Sequence, residues 1–203
     1  MIIKNDKPLC AISYDTQTYG QLRQFIATEE GIDLARIHPD DFLSNLSNDY
    51  QYINLVVKDF EQRKQVSAAL DQHNLDRFTY IGEDAIATHF HAKSINIGKG
   101  CMLFPAVWVY SGKIEDDVIM HGLVRMAENV TIGKGSFLSG SITLAGGCSI
   151  GEWCFLGNNI FFIDQVSICN NVKLLPGTNL RKSITQPGTY YNPYTYKIEK
   201  ILV

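Results

Sequence analysis

In the stretch VIMHGLVRMAENVTIG, residues 118–133, one histidine and one carboxylate stand seven positions apart, His121 and Glu128. Both are side chains that can take a proton. His121 has an unperturbed pKa of about 6.5, which suits proton transfer at neutral pH. Glu128, at about 4.3 unperturbed, is ionised and a weaker base unless burial raises it. Gly146 and Gly147 place two backbone N–H groups side by side without side-chain cover, a source of donors for a developing oxyanion. A proton acceptor and oxyanion donors are what transfer of a group at a carbonyl carbon requires.

Other reactive residues point elsewhere. His89 and His91, in THFHAKS, have the alternate spacing of metal ligands on a strand, but no third ligand is near in sequence, so no metal is expected. The five cysteines, Cys10, Cys101, Cys148, Cys154 and Cys169, are odd in number and form no C-x-x-C pair, which argues against disulfides and zinc. Tyr190, Tyr191, Tyr194 and Tyr196 read as packing residues rather than a stacking platform.

What must position His121 and Glu128 is set by a six-residue beat. From Ile114 every sixth residue is large and apolar: Ile114, Met120, Met126, Ile132, Leu138, Leu144, Ile150, Leu156, Phe162, Ile168, Leu174 and Leu180. Two places earlier runs a smaller row, Val118, Val124, Val130, Ser136, Ile142, Cys148, Cys154, Ile160, Val166, Val172 and Thr178. Ile97, Leu103 and Val109 keep the step and then slip by one before Ile114. A six-residue repeat is the signature of a parallel β-helix, in which three hexads make a triangular coil and residues 18 apart stack about 4.8 Å from one another. Both rows point inward, so Cys101, Cys148 and Cys154 are expected as compact core residues. Gly98, Gly133, Gly151 and Gly157 follow their aliphatic residues directly, where a tight corner favours glycine. Trp108 and Trp153 fall on neither inward row.

Within that register Glu128 lies near a corner and points outward, with Gly146 one coil up and Asp164 two coils up. Gly146 is expected to leave room beside Glu128 for a bound group. His121 lies on the preceding face with Ser139 above it, so the two side chains could converge in one cleft, within one subunit or across two.

Residues 1–84 have a different rhythm. Strands are predicted at 8–13, 32–37, 52–57 and 77–82, with a helix after the first and another opening at Asp59, where Gln62 completes a capping box and Val66, Ala69 and Leu70 supply the buried face. The fold class is therefore a small Rossmann-like α/β unit with a parallel sheet, residues 1–84, followed by an all-β left-handed parallel β-helix with a C-terminal tail, residues 85–203. A net charge of −3 and a pI near 5.9 argue against nucleic acid or an anionic membrane as partner. No apolar run is long enough to span a bilayer, and MIIKNDKPLC is no signal peptide, so a soluble, cytoplasmic protein is expected.

The segments KIEDDVIMH, ENVTIGKGSFLSG, AGGCSIGEWCFLGNN and GTYYNPYTYK, behind a small α/β unit, resemble the left-handed β-helix, or hexapeptide-repeat, acyltransferases. Within them the chain looks like the sialic acid and amino-sugar O/N-acetyltransferase group that includes UDP-N-acetylbacillosamine N-acetyltransferase. The resemblance implies a homotrimer with clefts between adjacent β-helices, acetyl-CoA as cosubstrate, no metal, and an amino sugar linked to a nucleotide as small-molecule acceptor. It implies coenzyme contacts from Phe137, Gly146, Gly147, Asn158, Pro176 and Gly177, and acceptor contacts from Asp15, Thr18 and Arg63 in the first unit. This chain departs from the family at its catalytic histidine: ENVTIG puts Glu128 in that position, followed by Asn129, and a second family histidine falls on Phe137. The glycine-rich loop reads YDTQTYG and keeps only Gly20, with Asp15 and Thr18 in place of glycines. The catalytic candidates are therefore His121, Glu128 and Asn129. With Glu128 as base an amine is the easier nucleophile, because a hydroxyl demands a stronger base. The alternatives are a hydroxyl or non-nucleotide acceptor, or a β-helix that has lost the chemistry.

Overall fold

The computed structural model describes residues 2–3, 6–14, 19–20, 22–24, 26, 34–57, 59–82, 85, 95–191 and 199–201. The chain forms two compact units, Ile2–Tyr80 and Ile81–Val203. Asp15, Thr18, His89, His91, Tyr194 and Tyr196 lie outside the described residues.

In the first unit, Leu9–Ile12 is the central strand of a three-stranded parallel sheet, flanked by Leu34–Ile37 and Gln51–Asn54. All four central residues are buried, as continuous apolar character requires of a strand covered on both faces. Asp59 caps the helix Phe60–Gln72, its Oδ1 accepting the Gln62 N–H at 3.0 Å. The predicted strand at 77–82 is present as Thr79–Ile81, whose Thr79 and Tyr80 pair antiparallel with Ile2–Ile3. A helix at Pro39–Ser44 is an addition to the sequence reading. Its signals are the His38 cap, Pro39 in the first turn and the acidic pair Asp40 and Asp41.

The second unit is a parallel β-helix of about six coils with three sheets. One sheet carries Met102–Leu103, Ile119–Met120, Phe137–Leu138, Phe155–Leu156 and Val172–Leu174, and ends in the tail strands Gly188–Tyr191 and Glu199–Ile201. A second carries Trp108–Val109, Arg125–Met126, Thr143–Leu144, Phe161–Phe162 and Asn179–Leu180. The third runs from Ile95–Ile97 to Ser167–Ile168. The register follows the hexads: Ile119 pairs with Phe137, Arg125 with Thr143 and Thr131 with Ser149. Both inward rows are buried throughout, and Tyr190 of the tail packs into the same core. The slip lies where expected. Trp108 pairs with Arg125 but Lys113 with Thr131, and Gly112 closes the short turn at φ 134°, where a side chain would strike the Val130 carbonyl.

The corners turn differently from the sequence reading. Gly98, Gly133, Gly151 and Gly157 are not left-handed. They are needed because the next coil's backbone passes over them: a Cβ on Gly151 would stand 2.5 Å from the Asn170 nitrogen, and one on Gly133 2.6 Å from the Glu152 nitrogen. The left-handed residue is the one before each small inward residue, every sixth position from 117 to 177. It is Asp117, Asn129, Asn159 or Asn171 at some corners, Gly135, Gly147 or Gly177 at others, and Leu123, Ser141, Trp153 and Gln165 at the rest.

Cys101, Cys148 and Cys154 are buried in this core as free thiols. Burial pushes the Cys154 thiol up to about 11 and raises that of Cys148, which removes both as nucleophiles near neutral pH.

Candidate active site

The second sheet presents its outward row, Trp108, Arg125, Thr143, Phe161 and Asn179, between two columns of corner residues. One column, reached from the first sheet, contains Gly140, Asn158 and Pro176; the other contains Glu128, Gly146 and Asp164. A cavity of about 430 Å³ lies on this sheet against the second column. Trp108, Tyr110, Arg125, Thr143, Glu128 and Asp164 line it. Trp108 is 55% exposed and Tyr110 50%, so two aromatic rings stand open to solvent at its edge. Among the described residues the Arg125 guanidinium forms no ion pair, leaving its charge available to the cavity.

Glu128 is exposed and folded over Gly146. Its Oε1 stands 2.8 Å from the point a Gly146 Cβ would occupy, and Asp164 Oδ1 stands 3.6 Å from the same point. The missing side chain thus makes room for the Glu128 carboxylate itself, rather than for a bound group as the sequence suggested. Asp164 is held there by the Gly146 N–H, which its Oδ1 accepts at 3.0 Å. The Gly147 N–H donates to the Glu128 carbonyl at 2.9 Å. Both glycine donors are therefore occupied by neighbouring coils, and the expectation that they form an oxyanion hole is corrected. Asn129 takes the left-handed corner at φ 55° and its N–H donates to Ser111 Oγ at 3.0 Å, which makes it a turn residue.

His121 is not among the residues lining this cavity. Its ring sits between Phe104, with centroids 4.6 Å apart, and Phe137, at 5.1 Å, beside the first sheet. Its Nε2 is buried without a hydrogen-bond partner. Burial among these rings holds the imidazole below 6.5, so it is neutral at pH 7. A single chain thus does not bring His121 and Glu128 into one cleft, because the corner at Gly122–Val124 and the strand Arg125–Met126 separate them.

The expected coenzyme contacts are divided between the two columns. Phe137 is 7% exposed and stacks on Phe155 with centroids 5.4 Å apart. Asn158 Oδ1 accepts the Gly140 N–H at 3.0 Å, Pro176 packs over Gly157, and the Gly177 N–H donates to the Asn158 carbonyl at 2.9 Å. Asn158, Pro176 and Gly177 lie at the first column and Phe137 on the first sheet beside it, whereas Gly146 and Gly147 lie at the second column. Arg63, expected to touch the acceptor, is fully buried in the first unit, where its Nη1 donates to the Asn54 carbonyl at 2.7 Å and the Val56 carbonyl at 3.3 Å. It braces the strand end Gln51–Asn54 against the helix Phe60–Gln72. The residues that sequence reasoning missed are Trp108, Tyr110, Arg125 and Thr143. Their signal was the outward position of each strand, readable once the one-residue slip is placed.

No family model matches the chain. Over 83 residues, 41% of this chain and 23% of the relative, it is 37% identical to the UDP-3-O-acylglucosamine N-acyltransferase of Bordetella avium. Over 77 residues, 38% of this chain and 25% of the relative, it is 38% identical to the probable mitochondrial UDP-3-O-acylglucosamine N-acyltransferase 2 of Arabidopsis thaliana. The match spans no more than 25% of these curated relatives' length. Among solved structures, the acetyltransferase domain of PglB from Neisseria gonorrhoeae superposes with a TM-score of 0.80 at 16% identity, over 96% of this chain and 100% of that one. A mutant of perosamine N-acetyltransferase from Caulobacter crescentus, in complex with CoA and GDP-perosamine, gives 0.73 at 16% identity over 95% and 97%. The fold is that of the left-handed β-helix acyltransferases. The resemblance drawn from the hexads and the tail is thereby shown, since the structural neighbours are acetyltransferases of this type. Among the described residues no helix is long and apolar enough to cross a membrane.

Proposed function

We propose that this chain is an acetyl-CoA-dependent acyltransferase that acetylates an amino group of a nucleotide-linked sugar, working as a homotrimer in the cytoplasm. The observation that carries this reading is the sequence match to sugar N-acyltransferases, joined to a fold shared over nearly the whole chain with sugar N-acetyltransferases. The cavity on the second sheet supplies the chemistry. Glu128 takes the proton from the acceptor ammonium or its attacking amine. The nitrogen lone pair forms a C–N bond to the thioester carbon, the C–S bond breaks, and CoA leaves as a thiolate that takes up a proton. Arg125 and the Thr143 hydroxyl stand in the same cavity and replace the occupied glycine N–H groups as donors to the carbonyl oxygen. An amine suits this arrangement because, once deprotonated, it attacks a thioester without the strong base that a hydroxyl demands.

One observation favours a second reading, a β-helix that keeps the fold without the chemistry: among the described residues no histidine lines the cavity. The experiment that decides is release of free CoA thiol from acetyl-CoA with GDP-perosamine or UDP-glucosamine as acceptor. Turnover is expected with an amino sugar, and Glu128→Gln is expected to lower kcat by about 10²- to 10⁴-fold. No acetyl-CoA binding at millimolar concentration, and no thiol released with any amine, would sink the reading.

A further inference from the structure

One bond recurs at the corners of the β-helix. The N–H of each left-handed corner residue donates to a backbone carbonyl of the preceding coil: Gly135 to Asp116, Gly147 to Glu128 and Trp153 to Lys134, each at 2.9 Å. Every left-handed corner from Asp117 to Gly177 follows this rule except the one at Asn129. The Asn129 N–H donates to a side chain instead, the Ser111 hydroxyl, at 3.0 Å. The slip accounts for the exception. The stretch from Val109 to Ile114 is one residue shorter than the other hexads, and Gly112 closes its turn at φ 134°. Among the described residues no backbone carbonyl of that shortened turn accepts the Asn129 N–H, and Ser111 Oγ takes the place. Ser111 is 9% exposed, so little water competes for the bond.

The Asn129 N–H and the Glu128 carbonyl belong to one peptide group, which is planar. The Gly147 N–H holds the carbonyl end from the following coil at 2.9 Å, and Ser111 holds the N–H end from the preceding one. The orientation of that plane sets ψ at Glu128, and with it the direction in which the side chain leaves the corner. From there the Glu128 carboxylate reaches over Gly146 and lines the cavity. We infer that Ser111 is a positioning residue for Glu128: its hydroxyl fixes the peptide plane between Glu128 and Asn129 and so aims the carboxylate into the cavity. The inference rests on the acyl-transfer reading, which makes Glu128 the base. Ser111 is not among the residues lining the cavity, so it acts through the backbone of the corner and not on the substrate. With the hydroxyl removed, the plane stays bonded at its carbonyl end alone and tilts about that bond. The other left-handed corners from Asp117 to Gly177 are bonded backbone to backbone and depend on no side chain for this contact.

The test compares Ser111→Ala with Ser136→Ala in the full chain. Ser136 is a second buried hydroxyl of the stack: its Oγ accepts the Cys154 N–H at 3.0 Å and donates to the Gly151 carbonyl at 2.8 Å, at a corner that does not carry Glu128. Amide hydrogen exchange in Ser111→Ala should be about tenfold faster at Asn129 and unchanged at Gly135 and Trp153, which separates a freed corner from a loosened fold. In thiol release from acetyl-CoA, with GDP-perosamine or UDP-glucosamine as acceptor, Ser111→Ala should lower kcat about tenfold and leave both KM values within about twofold. Ser136→Ala should keep kcat within about twofold of the wild type, although it too loses buried hydrogen bonds. Wild-type kcat in Ser111→Ala, an equal loss of kcat in Ser136→Ala, or wild-type exchange at Asn129 overturns the inference. The two readings fail separately. Turnover that survives Ser111→Ala undiminished keeps acyl transfer and removes the positioning role. A wild type that releases no thiol removes acyl transfer, and exchange at Asn129 in Ser111→Ala then still decides whether Ser111 holds the corner.

Discussion

At the scale of single residues, Glu128 is the base that the proposed reading gives this face, at the position where the resemblance implies a histidine. His121 does not replace it, for it lies between Phe104 and Phe137 with Nε2 buried. Its burial has a consequence for stability rather than catalysis. The folded imidazole is harder to protonate than the unfolded one, so the unfolded chain binds more protons as pH falls through about 6.5 and below. The His121 contribution is complete above that value and is lost progressively on acidification. Thermal melting of the wild type should therefore drop more between pH 7 and pH 5 than melting of His121→Phe, which keeps the aromatic packing without the titration. Equal acid sensitivity in the two proteins would show that the ring is solvated. Of the site, the adjacency of Glu128, Gly146 and Asp164 was legible in the sequence because a fixed period makes the neighbours countable. The direction of each backbone N–H was not legible. It is set by ladder bonds such as Gly147 to Glu128, and side-chain identity carries no trace of these.

At the scale of elements, the glycines separate packing from function. Gly151 and Gly146 both lie under the next coil, but different atoms approach them. A methyl group on Gly151 meets the Asn170 backbone nitrogen at 2.5 Å, and a strand of the stack cannot shift alone. Gly151→Ala is expected to destabilise by about 1–3 kcal/mol, read in denaturant unfolding. A methyl group on Gly146 meets Glu128 Oε1 at 2.8 Å, the far end of a mobile side chain. Gly146→Ala should therefore unfold within about 0.5 kcal/mol of the wild type while acetyl transfer falls, because Glu128 must leave its place beside Asp164. Equal stability losses in the two variants would contradict this division. The same contrast explains what the hexads revealed and what they hid. The inward rows must be apolar, so Ile114 to Leu180 announced the fold. The left-handed corners announce themselves only where Asn, Asp or Gly occupies them, and Leu123 or Trp153 at the same position gives no cue. The helix Pro39–Ser44 was missed for another reason: its end signals are clear, but at six residues it has no apolar period to find.

For the molecule as a whole, the second sheet and its corners carry large apolar side chains open to solvent. Trp108, Phe161 and the neighbouring Tyr110 are 55%, 41% and 50% exposed, and Leu123 at the adjoining corner is 60% exposed. Side chains of this size, clustered on one face of a β-helix, lose about 25 cal/mol of stabilisation for each Å² left in water. The cavity is open on the same side, and Asn158 and Pro176 belong to the column on its other flank, with His121 and Phe137 at the first sheet beyond it. In the proposed homotrimer a neighbouring chain would bring its own column against this face, so that the first column of one copy meets the Glu128 column of the next. Sedimentation should then give three times the 22.8 kDa chain mass, and specific activity should fall on dilution at the same concentration at which the trimer dissociates. Leu123→Glu, outside the cavity lining but on the exposed corner, should weaken assembly and activity together while single chains keep their far-ultraviolet β signal. A monomer that transfers acetyl groups at undiminished rate would mean that one chain closes the cleft with its own residues, and the division of the expected coenzyme contacts between two flanks would then have no bearing on catalysis.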